Sequence, residues 1–133
     1  MNAIKDSIKS GRTVIGTTAG PNVDVSILAD GYDFVLFDTQ HSPWEIKQLQ
    51  PSIQTTRGKQ AAPLVRVAAN QAYQICFALD AGARGIVVPM VNTRAEAEAV
   101  VRACRYYPLG SRSNAGCAAS GASSRITAIT SMP

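Results

Sequence analysis

Phe34-Val35-Leu36-Phe37-Asp38-Thr39-Gln40-His41-Ser42-Pro43 sets an unbroken apolar run against a polar cluster that holds the chain's single histidine. Four consecutive apolar residues bounded by polar ones predict a short strand buried on both faces, of the kind parallel sheets use. Such a strand delivers an acid and an imidazole together at its C-terminal end. Ser42-Pro43-Trp44-Glu45 then predicts a helix start, with Ser as N-cap, Pro at the first helical position and Glu three residues after the cap. That helix is expected to reach Thr56, with Ile46, Leu49 and Ile53 on one face and Gly58 beyond its end.

Toward the N-terminus the pattern predicts a helix over Ala3–Ser10 closed by Gly11, a β-branched strand over Thr13–Thr17, and a helix over Pro21–Asp30 ended by Gly31. Toward the C-terminus it predicts a strand over Pro63–Ala68 and a helix over Asn70–Ala81 with Ile75, Ala78 and Leu79 inward, stopped by Gly82. A strand over Gly85–Val91 follows, then a helix capped by Thr93 that runs to Arg105. Regular alternation at this spacing means parallel strands joined by right-handed crossovers, so the class is α/β.

Two architectures share that class, a doubly wound sheet and a (β/α)8 barrel. No Gly-x-Gly-x-x-Gly follows the first strand, whereas polar residues stand at the ends of successive strands: Asp38 and His41, then Arg66, then Asn92. This favours the barrel. A barrel needs about 200 residues or more, so four βα units correspond to its N-terminal half. After Gly110 the composition changes, and Ser111–Ser124 is rich in Ser, Ala and Gly with no apolar period. The expected division is a partial TIM-barrel domain over 1–110 and a low-complexity tail over 111–133, mobile, with only a weak apolar patch over Ile126–Met132 and unable to supply a fifth strand of the quality of the first four.

The charge balance is +4, from 13 Lys and Arg against 9 Asp and Glu, but the cations are dispersed singly, which argues against nucleic acid as a partner. Met1–Ser10 lacks the apolar stretch of a signal peptide, and no run approaches membrane-spanning length, so a cytoplasmic protein with no membrane partner is expected. Cys76, Cys104 and Cys117 are odd in number and lack Cys-x-x-Cys spacing, against a disulfide framework or a zinc site. Cys76 and Cys104 are expected to be buried fillers, and Trp44 and Tyr73 to pack on helix faces.

Asp38-x-x-His41-Ser42-Pro43, Pro63-Leu64-Val65-Arg66-Val67, Leu79-Asp80-Ala81-Gly82-Ala83-x-Gly85-Ile86-Val87-Val88-Pro89-Met90-Val91 and Arg105-Tyr106-x-Pro108-Leu109-Gly110-x-Arg112-Ser113 occur in that order. Together they resemble the HpcH/HpaI aldolase family over residues 4–113. The resemblance implies a class II, metal-dependent carbon-carbon lyase on a TIM barrel, cleaving 4-hydroxy-2-oxo acids to pyruvate and an aldehyde. A divalent metal (Mg, Mn or Co) would be its cofactor, and the oxo acid and aldehyde its small-molecule partners. On this resemblance His41 matches the general base, Asp80 the carboxylate that orients it, and Arg66 the arginine on the keto-acid oxygen. Asp38 and Gln40 would lie near the substrate and metal-bound waters, and Arg112 in a loop that binds the substrate carboxylate.

Read without the family, Arg66 is a salt-bridge residue at a rim, Asp38 a helix cap or turn acid, His41 a satisfied surface or core histidine and Asp80 a solvated carboxylate. The chain departs from the family where Gln40 replaces a Glu. The family's metal ligands would fall beyond residue 133, and no Asp or Glu occurs after Glu98. The expectation is therefore a truncated aldolase, with a change of origin after Ser113, that associates with itself through exposed barrel edges as a homo-oligomer. The alternatives are a catalytically inactive half-barrel serving as an interaction partner, and a citrate lyase β-like enzyme acting on acyl-CoA.

Overall fold

Strand order decides between the two architectures. The computed structural model describes residues 3–114 and 127–130, in the order α1 (Ala3–Lys9), β1 (Gly16–Ala19), α2 (Val25–Gly31), β2 (Phe34–Asp38), α3 (Ile46–Gln54), β3 (Ala62–Arg66), α4 (Ala72–Asp80), β4 (Gly85–Val88), α5 (Arg94–Cys104) and β5 (Thr127–Thr130). All strand pairs are parallel and the sheet runs β1-β2-β3-β4-β5, in sequence order. A doubly wound sheet reverses direction at a switch point, and this one does not. Successive addition on one side is how a barrel wall is built.

The register separates the sheet's two faces, because directly paired residues of neighbouring strands point the same way. Val35, Phe37, Val65, Ile86 and Val88 are buried on the face that the helices cover. Leu36, Leu64 and Gly85 align on the other face, followed toward the C-terminal end by Asp38, Arg66 and Val87. Leu36, Arg66 and Val87 are only half-buried there. Among the described residues the helix-covered face is thus the more completely buried, while the face that would line a barrel interior is only partly covered, Leu64 and Asp38 being buried there and Leu36, Arg66 and Val87 not.

Several boundaries differ from the sequence expectation. The first strand begins at Gly16, not Thr13, because the preceding segment is tied to the turn before β2: Ile15 N–H donates to the Asp33 carboxylate at 2.9 Å and Arg12 pairs with the same group at 2.7 Å. The third helix begins at Ile46 with Glu45 as cap, because Trp44 is drawn into the core, where its Nε1 donates to Ala19 O at 3.0 Å and its ring meets Phe37 edge-on. Leu49 and Ile53 are buried as the helical spacing predicts, and the Ile46 side chain lies outside the described residues.

A further correction concerns the tail. Thr127–Thr130 pairs with β4, Gly85 opposite Thr127 through Val88 opposite Thr130, and so provides a fifth strand. Backbone pairing to an open parallel edge needs no long apolar run, and the β-branched residues Thr127, Ile129 and Thr130 suit it. Most of the segment expected to be mobile, Cys117 included, lies outside the described residues.

Candidate active site

Adjacent strands bring the polar groups together at the C-terminal end of the sheet. β2 and β3 pair with Asp38 directly opposite Arg66. Arg66 Nε donates to Asp38 Oδ1 at 2.9 Å and Nη2 donates to Oδ2, a two-pronged pair. The chain then turns back over the carboxylate, so that the N–H groups of Gln40 and His41 also donate to Oδ1, at 3.0 and 3.3 Å. Thr39 closes the arrangement from the other side, its N–H and hydroxyl donating to Arg66 O at 2.9 and 2.7 Å.

This geometry sets the charges. Asp38 is buried, and the Arg66 hydrogen bonds hold its carboxyl down to about 2 against the opposing cost of burial, with the Gln40 and His41 N–H groups adding to the effect. The same pairing raises Arg66 above its already high value. Guanidinium has five N–H donors, of which Asp38 engages two, and the Arg66 side chain is 31% exposed. A permanently charged group is therefore fixed in orientation with donors left over for a ligand. His41 is anchored through its backbone while its side chain is exposed. Gln40 is half-buried in the same turn.

The other two expected site residues lie elsewhere. Asp80 ends α4 and pairs with Arg112 at 2.7 Å, beyond α5. Helices of a βα unit run back against their strands, so this pair sits toward the N-terminal edge of the sheet, opposite the Asp38–Arg66 end. Within one chain, Asp80 is placed to hold Arg112 and not to orient His41. The Arg112 side chain is 5% exposed, lies over the Tyr106 ring at 4.7 Å, and is packed into its own loop and not presented beside Arg66. Cys76 is half-buried, with its thiol 3.6 Å from Asp80 Oδ2 and pushed up by burial; Cys104 is buried as expected. Tyr73 is exposed and meets Phe77 edge-on.

The donor set does not by itself fit a divalent cation. Among the described residues no three His, Cys, Asp or Glu side chains gather, and the Asp38 oxygens are already taken by Arg66 and two backbone N–H groups. Sequence reasoning missed two features at this end of the sheet. Thr39 locks the β2 and β3 ends together, and a hydroxyl residue directly after the acid at a strand end was its only signal. Met90, two residues past β4, has φ of 57°, which nothing about a methionine in sequence announces.

The sequence pattern of the HpcH/HpaI aldolase/citrate lyase family matches residues 20–130. The chain belongs to this family. The match continues past Ser113, so family likeness does not stop where the composition changes. A 4-hydroxy-2-oxo-heptane-1,7-dioate aldolase of Klebsiella pneumoniae is 38% identical over 114 residues, covering 84% of this chain and 43% of that protein. An HpcH/HpaI aldolase/citrate lyase family protein from Burkholderia cenocepacia superposes with a TM-score of 0.79 at 28% identity, over 87% of this chain and 49% of that one. A citrate synthase does so with a TM-score of 0.75 at 37% identity, over 84% and 46%. The chain thus spans less than half the length of the curated relatives it matches, and its architecture is that of the N-terminal half of their TIM barrel. No helix among the described residues is long and apolar enough to cross a membrane.

Proposed function

We propose that this chain carries the oxo-acid-binding part of a carbon-carbon lyase site, used to cleave a 4-hydroxy-2-oxo acid into pyruvate and an aldehyde. The observation that carries the reading is Arg66: a guanidinium held by Asp38 at a strand's C-terminal end, with donors to spare, beside the turn that exposes His41. In the cleavage, His41 accepts the proton of the C4 hydroxyl and the C3–C4 bond breaks. Its electron pair passes into the enolate of pyruvate while the C4 carbonyl of the aldehyde forms. Return of a proton to C3 gives pyruvate. Negative charge grows on the C2 oxygen during this step, and oriented N–H donors stabilise such charge without having to reorganise.

Asp38 then acts through Arg66, since its oxygens are committed to that side chain and to the turn, and Gln40 contributes its backbone N–H to the same scaffold. The closing test is pyruvate release from 4-hydroxy-2-oxo acids by the purified chain, with and without Mg²⁺, Mn²⁺ or Co²⁺. Arg66→Ala is expected to lower kcat/KM by about 10²–10³-fold and His41→Ala by about 10²–10⁴-fold. Turnover that survives either substitution overturns the assigned roles.

A second reading rests on the citrate synthase neighbour, which at 37% identity is nearer in sequence than the Burkholderia protein. The same guanidinium would serve an enolate derived from an acyl-CoA. Product formation that requires an acyl-CoA and ignores 4-hydroxy-2-oxo acids would select that reading.

A further inference from the structure

Met90 is the only non-glycine residue with positive φ among the described residues, in the left-handed region that L side chains avoid. It is also 75% exposed, an apolar side chain in solvent between two buried neighbours, Pro89 and Val91. A glycine or asparagine would relieve the backbone, and a polar residue would relieve the exposure. The surroundings hold the conformation in place: Pro89 fixes its own φ, Val91 anchors the far side, and Asn92 Nδ2 donates to Met90 O at 3.3 Å. Beyond it, the N–H groups of Asn92 and Thr93 donate to Glu96 Oε2 at 2.8 and 3.0 Å, tying the loop to the first turn of α5. Strain sustained in this way collects at functional positions.

Its place in the fold says which function. Asp38 ends β2, Arg66 ends the neighbouring β3, and Met90 follows the end of β4, whose Val87 pairs with Arg66. Three consecutive strands therefore place an acid, a cation and an exposed thioether in an arc at one end of the sheet. A thioether is flexible and polarisable, uncharged and suited to alkyl groups of varied shape. Resting on the reading of Arg66 as the oxo-acid ligand, we propose that Met90 is a specificity residue: it forms the apolar wall of that site and selects the alkyl part of the 2-oxo acid.

The chain has only three methionines, so ¹³C-methyl methionine labelling gives a spectrum in which Met90→Gly identifies the Met90 signal. Pyruvate, 2-oxobutyrate, 2-oxopentanoate and 2-oxohexanoate are titrated in Mg²⁺ buffer while the Met90 methyl and Arg66 Nε–H signals are followed. The expected result is that both signals move and that Kd falls about two- to fourfold per added methylene. In Met90→Gly this gradient should flatten, while the melting temperature rises or holds because the backbone is relieved. A shift at Arg66 with a still Met90 methyl, or a gradient that Met90→Gly leaves intact, overturns the proposal and spares the oxo-acid site. No shift at either group removes the oxo-acid site itself, and the Met90 wall falls with it.

Discussion

Four donors converge on one carboxylate at Asp38: Nε and Nη2 of Arg66 and the N–H groups of Gln40 and His41. Its folded-state value lies near 2, below the ordinary 3.8. A depressed acid adds stability that is fully present above the unfolded value and is lost as pH falls through the folded one. The loss should therefore fall between about pH 4 and pH 2 and amount to about 2 kcal/mol. Denaturant titrations across that window measure it, and Asp38→Asn should remove this share of the pH dependence while leaving that of the other depressed acids, Asp24, Asp33 and Glu96. The same variant leaves the guanidinium without its charged partner, so it should also cost about 1–2 kcal/mol at neutral pH, less than in a fully buried pair because the Arg66 side chain is 31% exposed. Equal acid sensitivity in wild type and variant would mean that some other carboxylate governs the low-pH transition.

The elements show how far local pattern reaches. Gly16 and Gly110 look alike in sequence, yet an added Cβ meets the Phe34 ring at Gly16 and the carbonyl oxygens of Arg102 and Arg105 at Gly110. A half-buried ring can swing aside, whereas those two carbonyls already accept the Ser111 and Arg112 N–H groups at 2.9 Å each. Gly110→Ala should accordingly destabilise by about 2–3 kcal/mol and Gly16→Ala by about 1 kcal/mol, as thermal melts of the two variants can rank. Helix faces and caps were legible because they depend on spacing: Ile75, Ala78 and Leu79 are buried, and Thr93 caps α5 through Glu96 N–H at 3.2 Å. Starting points were not, since contacts distant in sequence move them. Trp44 reaching Ala19 delays α3, and Asp33 reaching Ile15 delays β1. The site divides in the same way. A strand end marks Asp38 and Arg66, while the fate of Asp80 depended on a partner 32 residues away.

At the scale of the molecule, the two faces of the sheet should respond differently to the same chemical change. Ile86 is fully buried beneath the helices, and Leu36 is half-exposed on the face that would line a barrel. The two residues have equal side-chain volume, so the comparison isolates burial. Ile86→Ala should cost about 3–5 kcal/mol through lost transfer energy and the cavity left in a packed layer, and Leu36→Ala only about 1 kcal/mol, because water already reaches that face. Half-exposed Phe34, Leu36 and Val87 also form an apolar surface of the kind that recruits cover. The purified chain should bind a hydrophobic dye such as ANS, and Leu36→Lys should reduce that signal without a matching loss of helix by circular dichroism. If Leu36→Ala proves as costly as Ile86→Ala, the inner face is already covered in solution, and sedimentation of the wild-type chain should then show the self-association that covers it.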